Sequence, residues 1–209
     1  SYTLSQRNIF DLRDNASRLV REQEGKTLLS QIGQTLTYDR RDSRLDPHSG
    51  YVVRLGTDFA GVGGDAQYVR GRGDGSYFVP FERLLGDPAY VLAISASVGY
   101  LQPWGGDRDR IVDRFFLGGE NLRGCAVAGA GPRERGDVRD DSLGGRVIWT
   151  QSTEMRFPLP LPADIGITGR AFVDVGSLSD VEWLVQLLQL RHAAQIPALR
   201  TTSTREALA

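Results

Sequence analysis

A glycine-rich segment with one arginine is the first feature of this 209-residue chain that could take part in specific chemistry. It reads FFLGGENLRGC from Phe115 to Cys125, and no helix or strand period runs through it. Glycines let a backbone turn tightly and approach another surface closely. A guanidinium is planar, stays charged away from bulk water and can bind a carboxylate through two parallel hydrogen bonds. Arg123 is therefore either an ordinary solvated loop cation or a group that binds acidic side chains.

Other kinds of chemistry find little support in the sequence. No serine lies in a G-x-S-x-G elbow, and no phosphate-binding loop of the Walker type is present. His48 and His192 have no cysteine or second histidine at metal-ligand spacing. The 25 basic and 26 acidic residues nearly cancel, which argues against a nucleic-acid partner. We predict no catalytic residue, no metal site and no cofactor, and we expect that the protein is not an enzyme.

Alternation of apolar with polar or small residues predicts the elements that would position Arg123. The segment from Tyr90 to Tyr100 places large apolar residues on one face and small ones on the other. The same period, in places weaker, recurs in six more segments: Tyr2–Leu12, Leu28–Tyr38, Tyr51–Phe59, Gln67–Arg83, Val147–Phe157 and Ile165–Val175. An irregularity is expected in one of them, at GRGDG. The pattern predicts about seven strands.

Two inserts separate these strands, and the strands themselves are long. Asp14–Gly25 is expected to hold a helical turn, and Gln102–Leu143 forms a long loop that contains Arg123. Strands of ten or eleven residues match a tilted membrane span, whereas soluble strands average about five or six. Aromatic residues gather near the strand ends, as in interfacial girdles. Alternation alone leaves both a membrane β-barrel and a soluble β-sandwich open.

Several motifs in chain order carry a family resemblance. RFFLGGENLRG from Arg114, DSLGG from Asp141 and TEMRFPLPLPADIGITGRAFVDVGSL from Thr153 resemble the C-terminal barrel of the BamA family. These are outer-membrane protein assembly factors of the bacterial surface antigen superfamily. The turn TLTYDRRDSRLDPHSGY from Thr35 resembles the same family. The resemblance implies an all-β fold over residues 1–178, a partial transmembrane antiparallel β-barrel with a long inward-folding loop.

The resemblance also implies roles for individual residues. The loop motif in the barrel lumen would comprise Gly118, Gly119, Arg123 and Gly124. The lumenal partners of Arg123 would be Asp174 and Glu154, within or beside a strand motif of Phe172, Asp174 and Gly176. Period two independently places Phe172, Asp174 and Glu154 on one side of two neighbouring strands. The sequence departs from the family at Cys125, where an aromatic residue is expected after Arg-Gly.

The end of the chain differs from the rest. The alternation stops near Leu178, whereas the family pattern continues with further strands. In residues 179–209, Trp183, Leu187 and Arg191 fall at helical spacing and Pro197 interrupts it. We predict a non-family tail there, helical and then disordered, and we interpret the chain as a fragment of the barrel.

The function implied by the resemblance is to fold or translocate other outer-membrane proteins by pairing their strands with a weakened barrel seam. The seam strands are expected outside this sequence, so the chain alone should lack that activity. The implied partners are unfolded outer-membrane β-barrel proteins, outer-membrane lipid and, in a full-length protein, assembly-complex lipoproteins. The implied location is the outer membrane of a Gram-negative type of envelope. Two alternatives remain: a passive secretion pore of the two-partner type, and a soluble β-sandwich binding module.

Overall fold

Seven long antiparallel strands build one sheet, as the sequence predicts. The computed structural model describes residues 1–12, 16–82, 86–106, 109–135, 140–159 and 167–179. The long strands are β1 (Tyr2–Ile9), β2 (Gly25–Asp39), β3 (Gly50–Ala60), β4 (Tyr68–Pro80), β5 (Val91–Pro103), β8 (Val147–Pro158) and β9 (Thr168–Ser179). They pair in that order, so β1 and β9 are the two edges of an open sheet.

The connections contain only short elements. The predicted helical turn is present as α1 (Arg18–Arg21), which begins where the Ser17 hydroxyl accepts a hydrogen bond from the Val20 backbone N–H. The long loop between β5 and β8 contains a 3₁₀ turn (Ile111–Asp113) and a hairpin of β6 (Arg133–Arg135) and β7 (Asp140–Ser142). In the part of the chain that is described, no helix is both long enough and apolar enough to span a membrane.

The register divides the sheet into two faces of different chemistry. Because side chains alternate along a strand, directly opposed residues share a face, and Leu55, Gly73, Val98 and Trp149 form one such row. We call this the outer face. Its exposed side chains are mostly apolar and aromatic: Tyr2, Ile32, Leu36, Tyr38, Tyr51, Val53, Leu55, Phe59, Tyr77, Ile94, Val98, Tyr100, Trp149, Val173 and Val175.

A soluble sandwich would bury such a face against a second sheet. Among the described residues, the only other sheet is the β6–β7 hairpin of three residues per strand. Within the described ranges the apolar outer face therefore stays uncovered, which is not the arrangement of a sandwich.

The long loop packs against the opposite face, which we call the loop face. Phe115 and Leu117 join a buried cluster with Leu101 of β5, Ile148 of β8 and Leu178 of β9. Strand glycines leave room for them: a Cβ at Gly99 would lie 2.6 Å from the Phe115 ring. The hydrophobic core of the molecule is thus formed between the loop and the sheet.

The irregularity expected at GRGDG is absent, because β4 continues through it with one-to-one pairing to β3 and β5. Gly71, Gly73 and Gly75 all lie on the outer face, whereas Arg72 and Asp74 lie on the loop face. The glycines remove side chains from one face without adding a residue to the strand, so the register is kept.

The predicted tail, residues 179–209, begins at the last described residue. Residues 180–209 lie outside the described residues, and so do the helical and disordered stretches expected there. The boundary at residue 178 stays a prediction.

Candidate functional site

The Arg123 side chain lies across β8 and β9 on the loop face. Its Nε donates a hydrogen bond to Asp174 Oδ2 and its Nη2 donates one to Asp174 Oδ1, each at 2.7 Å. The Arg123 backbone N–H also donates to Asp174 Oδ2, at 3.1 Å. The Asp174 carboxylate thus accepts hydrogen bonds from two nitrogens of the guanidinium and from the loop backbone. These three bonds fix both the distance and the orientation of the loop tip relative to β9.

The other donors of Arg123 bind the neighbouring strand. Nη1 donates to Glu154 Oε2 at 2.9 Å, and Nη2 donates to the Ser152 hydroxyl at 2.7 Å. The guanidinium carbon lies 3.5 Å from the centre of the Phe172 ring. Ser152 stands opposite Asp174 and Glu154 opposite Phe172, so the four side chains form a square that the guanidinium covers. A planar cation suits such a site, because it can bind carboxylates with two arms and stack on a ring at the same time.

The electrostatics of this contact favour a permanently charged arginine. The side chain of Arg123 is 33% exposed, whereas those of Glu154 and Asp174 are 13% and 7% exposed. The hydrogen bonds to Asp174, and then those to Glu154, raise the pKa of Arg123 above its ordinary value. We call this contact the tip anchor, because it holds the tip of the long loop.

The loop tip is shaped by glycines and by one asparagine. Gly118, Gly119 and Gly124 all have positive φ, and a Cβ at Gly118 would lie 2.1 Å from the Ala126 carbonyl oxygen. The Asn121 side chain accepts a hydrogen bond from the Gly118 N–H at 2.8 Å and donates one to the Phe116 carbonyl at 2.9 Å. Cys125 is exposed, so the side chain at the position where the resemblance predicts an aromatic residue does not pack against the sheet.

The structure brings Arg123 together with Asp174, Glu154 and Phe172. Gly176 lies apart from the guanidinium and meets Leu117 instead, since a Cβ there would be 3.1 Å from Leu117. Ser152 was not predicted, although it stands two residues before Glu154 and period two places it on the same face. The functional role of these residues stays a prediction.

A second contact holds the base of the loop and was also missed. Asp113, which is 1% exposed, accepts a hydrogen bond from Arg7 Nη1 of β1 at 2.6 Å. Asp109, 5% exposed, accepts hydrogen bonds from Arg146 at 2.6 Å and from Arg114. Burial favours a raised pKa for Asp109, but these two arginines outweigh it and hold the pKa below its ordinary value. We call Asp109 and Asp113 the base anchor.

The loop and the sheet line an open polar cavity of about 670 Å³ next to the tip anchor. Its charged lining residues include Arg54, Asp74, Glu120, Arg156 and Arg170, beside the tip anchor itself. Within the described ranges, no group of three His, Cys, Asp or Glu side chains is placed to hold a metal ion. The arrangement holds a loop in place by ion pairs, and such pairing needs no chemical step.

Comparison with known proteins shows which family this chain belongs to. The model of the Omp85 superfamily domain matches residues 1–189. The outer membrane protein assembly factor BamA of Neorickettsia risticii is 32% identical over 193 residues, which are 92% of this chain and 25% of that protein. The sorting and assembly machinery component 50 homolog A of Xenopus laevis is 30% identical over 179 residues, covering 82% of this chain and 36% of that protein.

A solved structure shares the fold. The crystal structure of BamA from Haemophilus ducreyi lacking POTRA domains 1-3 superposes with a TM-score of 0.67 at 19% identity, covering 82% of this chain and 33% of that chain. This chain therefore spans between a quarter and little more than a third of the proteins it matches. Because the family model covers nearly all of its length, the chain belongs to the Omp85 superfamily.

Proposed function

We propose that this chain is the loop-bearing part of an outer-membrane assembly factor, and that the whole protein folds and inserts other β-barrel proteins. The observation that carries the proposal is the tip anchor. A single arginine of the long loop donates hydrogen bonds to two carboxylates and a hydroxyl and stacks on an aromatic ring, all on two adjacent strands. Family membership supplies the context, and the activity of the whole protein is inferred from it.

In this proposal the residues of the tip anchor are structural. Arg123 binds Asp174 and Glu154 in the barrel lumen, and Phe172 stacks on its guanidinium. Gly118, Gly119 and Gly124 let the backbone reach the wall, and Gly176 completes the strand motif. The anchored loop keeps β8 and β9 at a fixed position relative to the rest of the sheet. No catalytic residue and no cofactor takes part, because strand pairing makes and breaks only hydrogen bonds.

The proposed mechanism is the addition of strands to an open edge of the barrel. An edge strand presents unpaired backbone N–H and C=O groups, and an incoming unfolded chain can pair with them. The substrates are unfolded outer-membrane β-barrel proteins, and the exposed apolar outer face contacts outer-membrane lipid. Assembly-complex lipoproteins bind the full-length protein. We place it in the outer membrane of a Gram-negative type of envelope.

Depletion in the native host tests the proposal. The protein encoded by the complete gene is depleted, then supplied again as wild type, as Arg123→Ala or as Arg21→Ala. The measurement is the amount of folded, heat-modifiable β-barrel protein in the outer membrane. We expect a several-fold loss on depletion, full recovery with wild type and with the exposed control at Arg21, and poor recovery with Arg123→Ala.

The same experiment separates assembly from passive secretion. A secretion pore of the two-partner type would leave the outer-membrane barrels at normal levels on depletion, while one exported protein accumulates inside the envelope. That result would contradict the assembly function. Normal recovery with Arg123→Ala would instead remove the proposed role of the tip anchor alone.

A further inference from the structure

A basic cavity lies at the end of the sheet opposite the long loop, where β2 turns into β3. It has a volume of about 670 Å³ and is lined by four arginines, Arg40, Arg41, Arg44 and Arg54, together with Tyr38 and Asp39. We call it the turn cavity. Four arginines and a single carboxylate line it, so its chemistry favours an anionic ligand.

The one carboxylate in the cavity is already neutralised. Arg41 donates from Nε to Asp39 Oδ1 at 2.9 Å and from Nη2 to Asp39 Oδ2 at 2.7 Å. Arg44 is farther away, with Nε 3.9 Å from Asp39 Oδ2, and its side chain is 87% exposed. Arg40 donates to the Tyr38 hydroxyl at 2.8 Å, and this hydroxyl carries no charge. In the described part of the chain Arg40 is therefore left without a carboxylate partner, and Arg44 shares at 3.9 Å the Asp39 carboxylate that Arg41 already binds with two arms.

The turn that carries these arginines is rigid. The Asp42 carboxylate accepts backbone hydrogen bonds from Ser43 at 2.9 Å, His48 at 3.0 Å and Ser49 at 3.1 Å. Gly50 closes the turn with φ of 94°, and a Cβ there would lie 2.1 Å from the Arg40 carbonyl oxygen. A preorganised turn loses little conformational freedom when a ligand binds.

The surroundings of the cavity identify the source of the anion. Tyr38 and Tyr51, 52% and 40% exposed, lie on the outer face with their ring centres 5.9 Å apart. Further along the same strands, Leu36, Val53 and Leu55 continue the exposed apolar surface. Tyrosine rings at the end of an apolar band are typical of the membrane–water interface. A free phosphate ion would use only the arginines, whereas a phospholipid would use both the arginines and the apolar surface.

We propose that the turn cavity binds the phosphate headgroup of an anionic phospholipid, whose acyl chains lie on the outer face beside Tyr38 and Tyr51. Arg40 and Arg44 bind the phosphate oxygens, whereas Arg54 lies on the loop face, directly opposite Asp74. The proposal rests on the membrane position of the outer face, which is part of the proposed function. It goes beyond that function in assigning a specific lipid site to one turn.

Native mass spectrometry of the protein encoded by the complete gene tests the site. Apparent Kd values are measured in detergent for phosphatidylglycerol and for phosphatidylcholine, which differ in headgroup charge. The wild type should prefer phosphatidylglycerol. In the double variant Arg40→Gln/Arg44→Gln, the ratio of the phosphatidylcholine Kd to the phosphatidylglycerol Kd should fall about fivefold for each arginine removed. The matched control Arg18→Gln/Arg21→Gln changes the same charge at the opposite end of the sheet and should keep the preference.

Each other outcome has a definite meaning. If the wild type binds both lipids equally, or if Arg40→Gln/Arg44→Gln keeps the preference, the headgroup site is wrong while the membrane position stands. If neither lipid binds, the membrane position fails, and with it the proposed function. If millimolar inorganic phosphate or an acidic peptide displaces phosphatidylglycerol completely, the cavity takes a soluble anion or a peptide, and the lipid assignment is overturned.

Discussion

The long loop is held at two places that use opposite charge. At the tip anchor the loop supplies the cation, Arg123, and the strands supply the carboxylates Asp174 and Glu154. At the base anchor the loop supplies the carboxylates, and Asp113 takes its cation, Arg7, from β1. The two contacts also reach opposite edges of the sheet, since Asp174 belongs to β9.

Burial makes the two anchors energetically different. The Asp113 side chain is 1% exposed. If Arg7 were lost, almost no water could take its place beside the buried carboxylate. The carboxylates of the tip anchor are less buried, with Glu154 13% and Asp174 7% exposed, while the cations Arg7 and Arg123 are alike at 34% and 33%. We infer that the base anchor contributes more to stability, whereas the tip anchor determines where the glycine-rich segment lies.

The largest expected effect comes from Arg7→Met, which leaves the Asp113 carboxylate buried and unpaired. We expect a loss of about 3 kcal/mol in the free energy of unfolding, because a buried charge without its partner is strongly destabilising. Urea unfolding of the lipid-reconstituted full-length protein measures it. Adding Asp113→Asn should recover much of the loss. An Arg7→Met cost no greater than that of Arg21→Met, an exposed control, would show that the two anchors do not differ in this way.

A smaller and more local effect is expected from Arg123→Lys. Lysine keeps the charge but cannot bind Asp174 with two arms while stacking on Phe172. Cleavage by a protease that does not recognise basic residues should become roughly tenfold faster in the loop tip, with the base segment still protected. Glu120→Gln, an exposed change in the same loop, is the control. Equal protection of the wild type and the Arg123→Lys variant would mean that charge alone holds the tip.

The smallest effect concerns pH. The lowered pKa of Asp109 means that its stabilisation is fully present above the unfolded value of about 3.9 and is lost as pH falls through the lower folded value. The raised pKa of Arg123 means that its contribution is lost only at extreme alkaline pH. The protection factor of hydrogen exchange around Ile111, in which the pH dependence of intrinsic exchange is divided out, should therefore stay constant from neutral pH down to about 4 and fall only below it. Loosening near pH 6 would point to a different titrating group.

Sequence reasoning succeeded where a pattern repeats along the chain. Alternation located all seven long strands, because most of them place apolar residues on one face over many positions. It also put Glu154, Phe172 and Asp174 on one side, and family resemblance connected them with Arg123. The regular course of β4 through GRGDG was missed, since glycines usually mark bends, and only the paired strands reveal that they all lie on one face.

The base anchor could not be predicted in the same way. Arg7 and Asp113 are 106 residues apart, and neither belongs to a motif. Asp113 stands in a loop, where a carboxylate is normally solvated, and its burial results from the packing of Phe115 and Leu117 against the sheet. Only the three-dimensional position of the loop makes this aspartate exceptional.

The separation between Arg7 and Asp113 has a consequence for the order of folding. A contact that closes 106 residues carries a large loop-closure entropy unless the intervening strands have already formed. The hairpins β1–β2, β2–β3, β3–β4 and β4–β5 join neighbouring segments and can form early. The base anchor should therefore form late, and the loop should close on the sheet only after β1 to β5 have paired in register.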